Sequence, residues 1–304
     1  MDVSQDESLT LARGTDRKTM ALPTLEPVGD SDLLAFCQFL TEHLSSERSA
    51  EQWAQAFRQN WGVDKPNNGF LIRDQGRIAG GIGAIYAERM IRGRPERFCN
   101  ITSWCVLEAY RAQSMRLAMA VVSQPGFHFT DLTPTELVSK TLQFLKFKPM
   151  NERHAVWPNI PWPFSRLLGV RVITELDGIE GVLTVMDAKV FRDHRHLPWL
   201  RHAAVGRPGA YCHVVWKPNR LKSVPGAMVL AFSDAELFLR YRRAIGAHLL
   251  RQGCLYTRVE SRLLPRSPIL SLELVGFRNK VFRSDTLAES DISNFYSEIV
   301  GLDL

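Results

Sequence analysis

Arg111, Ser114 and Arg116 stand together between an apolar segment that ends at Val106 and Leu107 and an apolar stretch over residues 117–122. This grouping can hold an anion. A chain that turns from a strand into a helix presents backbone N–H groups and the positive end of the helix dipole to a ligand. A guanidinium can pair with phosphate directly, and a serine hydroxyl adds a donor. The same residues also suit a surface turn with two solvated arginines. Asp131, at the end of an apolar segment before Thr133-Pro134, can act as a base, or can serve as a turn residue or helix partner. Glu88 is the second candidate base; beside Arg89 and Arg92 it also reads as a solvated acid. A general base must lie within direct or one-water reach of the proton it takes, which spacing alone does not test.

Other reactive side chains are weaker candidates. Cys105 lies on a strand-like segment with no cation nearby to lower its thiol pKa, so packing is the simpler role. His194 and His196 alternate and could share a strand face, but no third ligand follows them, and no metal is expected. His213 suits either a core position or a cleft between halves. Arg258 and Glu260 share one face of a strand and point either into a polar cleft or to solvent.

The elements that must position these residues follow from periodicity and punctuation. Helices are expected over 32–43, with an apolar stripe from Leu33 to Leu40, and over 50–60. Residues 70–73 and 77–86 read as a hairpin around Gln75-Gly76. A loop over 91–95, a strand over 98–107, a turn over 108–113 and a helix over 114–122 come next. A strand over 127–132 precedes a helix that opens at Thr133-Pro134 and ends near Phe147. Three prolines between Trp157 and Pro163 mark a linker. Beyond it, strands are expected over 210–216, 227–232, 255–263 and 276–282, with a loop over 218–225. Ser233 caps a helix over 234–252, and a short helix covers 268–274.

Bulk composition bounds the remaining choices. The chain has 304 residues, 45% hydrophobic and 23% charged, enough for two ordinary domains. Residues 1–150 hold 17 basic and 17 acidic side chains, whereas residues 151–304 hold 21 and 15. That local excess favours anionic small molecules. Without a long basic run or base-stacking pattern it argues against nucleic acid. Five cysteines without a CxxC fit a reduced, cytoplasmic protein. The polar start has no apolar core of a signal peptide, and no apolar run suits a membrane span. The division expected is a flexible tail over 1–25, a domain over 26–155, a Pro/Trp-rich linker over 156–175 and a domain over 176–304.

Two landmarks recur. Arg111-Ala-Gln-Ser114-Met-Arg116 is followed by Leu145-Lys146-Phe147, and Arg243-Ala-Ile-Gly246-Ala-His248 by Val275-Gly276-Phe277. Similar order and spacing suggest a duplicated unit. These segments resemble those of the GNAT superfamily of acyl-CoA-dependent N-acyltransferases, over about 70–150 and more weakly over 210–282. The resemblance implies an α/β chain of two tandem GNAT-like domains, each a mixed, largely antiparallel twisted sheet flanked by helices. It implies acetyl-CoA or another acyl-CoA as co-substrate, held by Val106, Leu107, Arg111, Ala112, Gln113, Ser114, Met115 and Arg116. It further implies direct attack on the thioester by an amine or hydroxyl of a small molecule or sugar, with Asp131 and Glu88 as candidate catalytic residues. Oligomers are compatible with it. The sequence departs from the family pattern where Ser114, Arg116 and His248 stand in place of glycines. Leu142 and Leu272 stand in place of the usual tyrosine acid. A catalytically silent binding or assembly module is therefore the alternative.

Overall fold

The computed structural model describes residues 22–59, 61–163, 169–276 and 278–303. The tail expected over 1–25 lies outside the described residues as far as residue 21, and Thr24–Pro27 form the first strand, β1. Phe277, one of the two repeated landmark phenylalanines, and residues 164–168 of the expected linker also lie outside them.

Leu33–His43 (α1) buries Leu33, Phe36, Cys37, Phe39 and Leu40, the stripe its spacing predicts. Ala50–Phe57 (α2) opens on a capping box in which Ser49 and Gln52 satisfy each other's backbone N–H groups. Gly69–Asp74 (β2), Arg77–Ile91 (β3) and Arg94–Val106 (β4) form a meander. Both of its turns use two residues at positive φ, 47° and 79° at Gln75 and Gly76, 50° and 79° at Arg92 and Gly93. This is the two-residue hairpin geometry that matches strand twist. The expected loop over 91–95 is thus a tight turn, and β4 starts earlier than expected. A 3-10 turn, Glu108–Gln113, leads into Ser114–Val122 (α3). His128–Asp131 (β5), Glu136–Phe144 (α4) and Lys148–Pro149 (β6) follow. Thr135 caps α4 by accepting from the Val138 N–H, so Pro134 precedes the helix instead of opening it.

The chain continues through Arg153–Pro158 (β7), Arg171–Ile173 (β8), Leu176–Glu180 (α5), Val185–His194 (α6) and Arg201–Arg207 (β9). Then come Ala210–Leu221 (β10), Val224–Phe232 (β11), Ala235–Arg251 (α7), Tyr256–Glu260 (β12), Leu272–Val275 (β13), Val281–Arg283 (β14) and Glu298–Gly301 (α8). Residues 218–225 were expected as a loop because of their prolines. They are instead paired strand around a turn at Lys222 and Ser223. β9 pairs with β10 only as far as Trp216, so Pro218 lies where β10 is an edge and its missing N–H costs no ladder bond. The short helix expected over 268–274 is replaced by β13, and only the end of the strand expected over 276–282 is β14.

The two mixed sheets have the same plan. Their orders are β1-β2-β3-β4-β5-β14-β6 and, read from β8, β8-β9-β10-β11-β12-β7-β13. All neighbours are antiparallel except β4–β5 and β11–β12, which are parallel. The sixth place in each sheet is filled from the other half: β7 follows β6 in the chain but lies between β12 and β13, and β14 returns between β5 and β6. Trp157 and Pro158, expected to open the linker, therefore belong to an interior strand.

One apolar core is shared by both halves, with Phe36, Phe57, Trp61, Ile85, Val215, Leu230, Phe295 and Val300 among its members. Trp61 stacks on His194 with centroids 5.4 Å apart and donates to the Asp193 carbonyl at 3.3 Å. Two further cores lie under α3 and α4 and under α7. Among the described residues no helix is long and apolar enough to cross a membrane.

Candidate functional site

β4 and β5 pair only where Phe98–Asn100 face His128–Thr130. β4 then runs on to Val106 with β3 alone beside it, so the two parallel strands part into a fork. A register shift opposite Gly81–Gly83 and a positive φ of 53° at Ser103 mark a bulge at this point. A bulge re-aims a strand and leaves backbone groups unpaired. The inner edge of β4 is therefore available to an extended ligand with its own amide groups.

Asp131 and Glu298 meet at the base of the fork. Asp131 ends β5 and is buried, with Oδ1 accepting from the Thr133 N–H at 3.2 Å. Glu298, the first residue of α8, is fully buried. Its N–H donates to Asn100 Oδ1 at 2.8 Å, and its Oε1 accepts from the Leu132 N–H at 2.8 Å and the Thr133 hydroxyl at 3.0 Å. Asn100 in turn donates to the Thr130 hydroxyl at 3.0 Å. Glu298 is thus tied to both arms. Burial pushes both carboxyls up, and at Asp131 the nearby Glu298 charge adds to that rise. Glu298 Oε2 has no hydrogen-bond partner among the described residues. Burial favours the protonated form of each carboxyl, and the charge of one disfavours ionisation of the other.

Beyond the open end of the fork lies α3. Its first turn carries no acidic residue and no side-chain cap. The predicted anion-binding residues are brought together here, though not as an open loop. Arg111, Ala112 and Gln113 are in the 3-10 turn, and Ser114, Met115 and Arg116 start the helix. Arg111 pairs with exposed Glu108 at 2.8 Å, and Arg116 Nη1 donates to Gln113 Oε1 at 2.9 Å and the Pro23 carbonyl at 3.3 Å.

No protein-family model and no curated protein matches this sequence. Solved structures do match the fold. A GCN5-related N-acetyltransferase from Anabaena variabilis superposes with a TM-score of 0.55 at 11% identity, over 86% of this chain and 72% of that one. Eis1 from Mycobacterium abscessus gives 0.52 at 11%, over 86% and 73%. A conserved protein of unknown function from Enterococcus faecalis, described as a probable N-acyltransferase, gives 0.56 at 10%, over 86% and 72%. The fold is GNAT-like, in two copies.

The second GNAT-like half parts in the same way, with β11 running on to Phe232 beside β10 alone, but its helix start is filled. β11 and β12 pair over Ala227–Val229 and Thr257–Val259, and α7 follows β11 almost directly. Asp234, not Ser233, is its N-cap, and Asp234 Oδ1 accepts from the Leu237 N–H at 2.7 Å. A carboxylate at the helix N-terminus satisfies the dipole and repels a second anion. The landmark at Arg243–His248 is not a loop but mid-helix. At Gly246 a Cβ would stand 3.0 Å from Asn159 Oδ1, just past β7, a tight contact that the glycine avoids. Nor do the two tyrosine-equivalent leucines correspond: Leu142 is buried in α4, whereas Leu272 is exposed in β13.

The other candidates scatter. Glu88 pairs across to Arg97, on the joined side of the fork, away from Asp131. It lines a cavity of about 440 Å³ between the halves, together with His213. Burial pushes His213 down to about 3, and its Nε2 lies 3.1 Å from Nδ1 of His202. Cys105 lies on the fork's inner strand with its thiol raised by burial. His194 ends α6 under Trp61 and His196 lies beyond the helix beside Gln59, so they share no strand face. Arg258 and Glu260 point into a buried cluster. There Glu152, His154 and Glu260 bring ligand atoms within 4.8 Å of one another. The Lys280 ammonium bonds Glu260 and lies 3.5 Å from Glu152, supplying the charge a metal ion would supply. Sequence reasoning named Asp131 as a candidate but not Glu298, Asn100, Glu152 or Lys280, none of which stands in a local motif.

Proposed function

We propose that this chain is an acyltransferase that moves an acetyl or other acyl group from coenzyme A to an amine or hydroxyl of a small molecule or sugar, with coenzyme A in the first GNAT-like half. The observation that carries this reading is the open fork between β4 and β5, with an uncapped helix start beyond it. The matching helix start in the second half is closed by Asp234. Pantetheine amides would pair along the inner edge of β4 as far as Val106 and Leu107. The pyrophosphate would lie against the backbone and side chains of Arg111, Ala112, Gln113, Ser114, Met115 and Arg116.

The acceptor attacks the thioester carbonyl carbon directly, and the sulfur leaves as thiolate. Cys105, with a raised thiol pKa, is no nucleophile. A carboxyl pair that holds one proton supplies both proton transfers. The ionised member, with Glu298 Oε2 free to accept, takes the proton from the acceptor. The protonated member gives its proton to the thiolate. Asp131 and Glu298 thus fill the role left by the missing tyrosine. Glu88, on the joined side of the fork, would line an approach for the acceptor.

A thermal-shift and turnover experiment tests this. Acyl-CoA should raise the melting temperature of the wild type by mass action. Asp234→Ser should keep that shift, and Ser114→Asp, which puts a carboxylate at the open helix start, should lose it. No shift with any acyl-CoA overturns the reading. The chain's own α8 rests at the base of the fork, which favours the silent-module alternative if acyl-CoA binds without turnover across a broad acceptor panel.

A further inference from the structure

A second cavity, of about 830 Å³, lies against the β10–β11 hairpin, the end of α7 and the segment before β14. None of the residues proposed to hold coenzyme A lines it. Its volume is that of a site for a small ligand. Its described walls carry Arg201, Lys217, Arg220, Arg258, Arg278 and Lys280, against one carboxylate among the described lining residues, Glu152.

Two more carboxylates reach these cations from the sides. Asp303 Oδ1 lies 3.1 Å from Lys217 Nζ, and Glu260 bonds Lys280. Among the described residues the cluster still holds more cations than anions. His154 does not add to them, because its Nδ1 accepts from Arg258 Nε at 3.1 Å and burial pushes its pKa down. The wall is built and not merely lined by surface side chains. Lys280 and Arg258 are 1% and 7% exposed, and Arg278 Nη1 is buried without a hydrogen-bond partner among the described residues. A buried guanidinium nitrogen left unsatisfied is costly, and converging like charges repel. Burial already depresses Lys217 and Arg258. An anion with several acceptor oxygens relieves all of these at once. The site is concave, and Trp216 is the only aromatic among its described lining residues, which suits a compact phosphate group and not a stacked nucleic-acid strand.

We infer that this cavity beside the β10–β11 hairpin binds a phosphorylated small molecule through its phosphate groups. Arg201, Arg220 and Arg278 supply the forks, and Lys217 and Lys280 supply point charges.

Calorimetric titration with inorganic pyrophosphate, at low and high salt, tests this on the full chain. Binding should be saturable and should weaken as salt rises. Arg278→Gln and Arg220→Gln should each weaken it about tenfold or more, since a charge-assisted bond contributes about 1.5–3 kcal/mol. Lys140→Gln, at an exposed cation of α4 that does not line the cavity, should leave it unchanged. Absence of saturable binding at low salt overturns the proposal, as does binding lost in Ser114→Asp and kept in both arginine variants. If a variant fails to fold, phenylglyoxal labelling of the wild type decides. Pyrophosphate should protect Arg201, Arg220 and Arg278, and equal labelling with and without it overturns the proposal. Failure of acyl-CoA to bind while pyrophosphate protects these arginines would remove the acyltransferase reading and leave this one standing.

Discussion

Asp131 and Glu260 end the same strand in the two sheets and sit in opposite fields. Asp131 follows the last parallel pair of β4–β5 and meets a second carboxyl, Glu298; Glu260 follows the last parallel pair of β11–β12 and meets Lys280 and Arg262. Burial and Glu298 raise Asp131 above its ordinary value, whereas the two cations hold Glu260 well below the carboxylate range despite its burial. One strand end thus holds a proton-binding pair and its counterpart a locked ion cluster. The difference divides the halves into a candidate catalytic unit and a unit suited to binding and scaffolding.

The proton-binding pair makes stability fall as pH rises. Asp131 and Glu298 bind protons more tightly folded than unfolded, so their contribution is full below their ordinary values of 3.8 and 4.5. It is lost as pH climbs through the raised folded values. Glu298→Gln removes one charge and gives the site a donor. Relative to wild type it should gain about 1–3 kcal/mol at pH 8, the cost of an uncompensated buried polar group, and gain nothing near pH 4. Parallel melting-temperature profiles for the two proteins would reject a shared proton at the fork.

The same variant should abolish acyl transfer while leaving the acyl-CoA thermal shift intact. Asp131→Asn should do likewise, because each removes half of an acid–base pair. Loss of general acid–base catalysis costs about 100-fold to 10,000-fold in rate. Turnover within a few fold of wild type in both variants would remove the pair from the mechanism.

The ion cluster behaves in the opposite sense. Lys280 is 1% exposed and bonds both Glu260 and Asn294. Lys280→Met leaves Glu260 with one cation, Arg262, and the Asn294 amide, and should cost about 3–5 kcal/mol. Adding Glu260→Gln should restore part of that loss, since the unpaired charge goes with it. The folded pKa of Glu260 is depressed, so its contribution is present above the ordinary value of 4.5 and lost as pH falls. Denaturant melts of the two variants and their double check the coupling; strict additivity would mean the two residues act independently.

Local chemistry was legible in the sequence, and chain-crossing chemistry was not. Gln75-Gly76, Ser114 and the end of β5 at Asp131 were readable because turn type, helix start and strand end are set within a few residues. The duplicated fold was also legible, but through landmarks that do not correspond. Arg243–His248 resembles a phosphate loop, yet its glycine serves the contact with Asn159 inside α7. Glu298 reaches Leu132 across 166 positions and Asn294 reaches Glu260 across 34. No periodicity or cap signals such pairings. They follow from β7 and β14 changing sheets: the prolines around Pro158 made β7 read as linker, and the strand expected over 276–282 carried no sign of which sheet its end would join.

That exchange predicts how the molecule unfolds. β14 is interior to the first sheet, where Val281 pairs with Asp131 on one side and Pro149 on the other and is fully buried. β7 is interior to the second, between β12 and β13. Neither half can complete its sheet without the other, and the shared core around Trp61 and Tyr296 adds to the coupling. Heating should therefore give one transition detected alike by circular dichroism, tryptophan fluorescence and calorimetry. Val281→Asp places an unpaired charge in the first sheet and should lower stability by several kcal/mol. Because of the exchange, it should lower the melting of both sheets together, with hydrogen exchange accelerating in β10–β11 as well as in β3–β4. Two separated transitions, or acceleration confined to the first sheet, would show that the halves fold independently despite their exchanged strands.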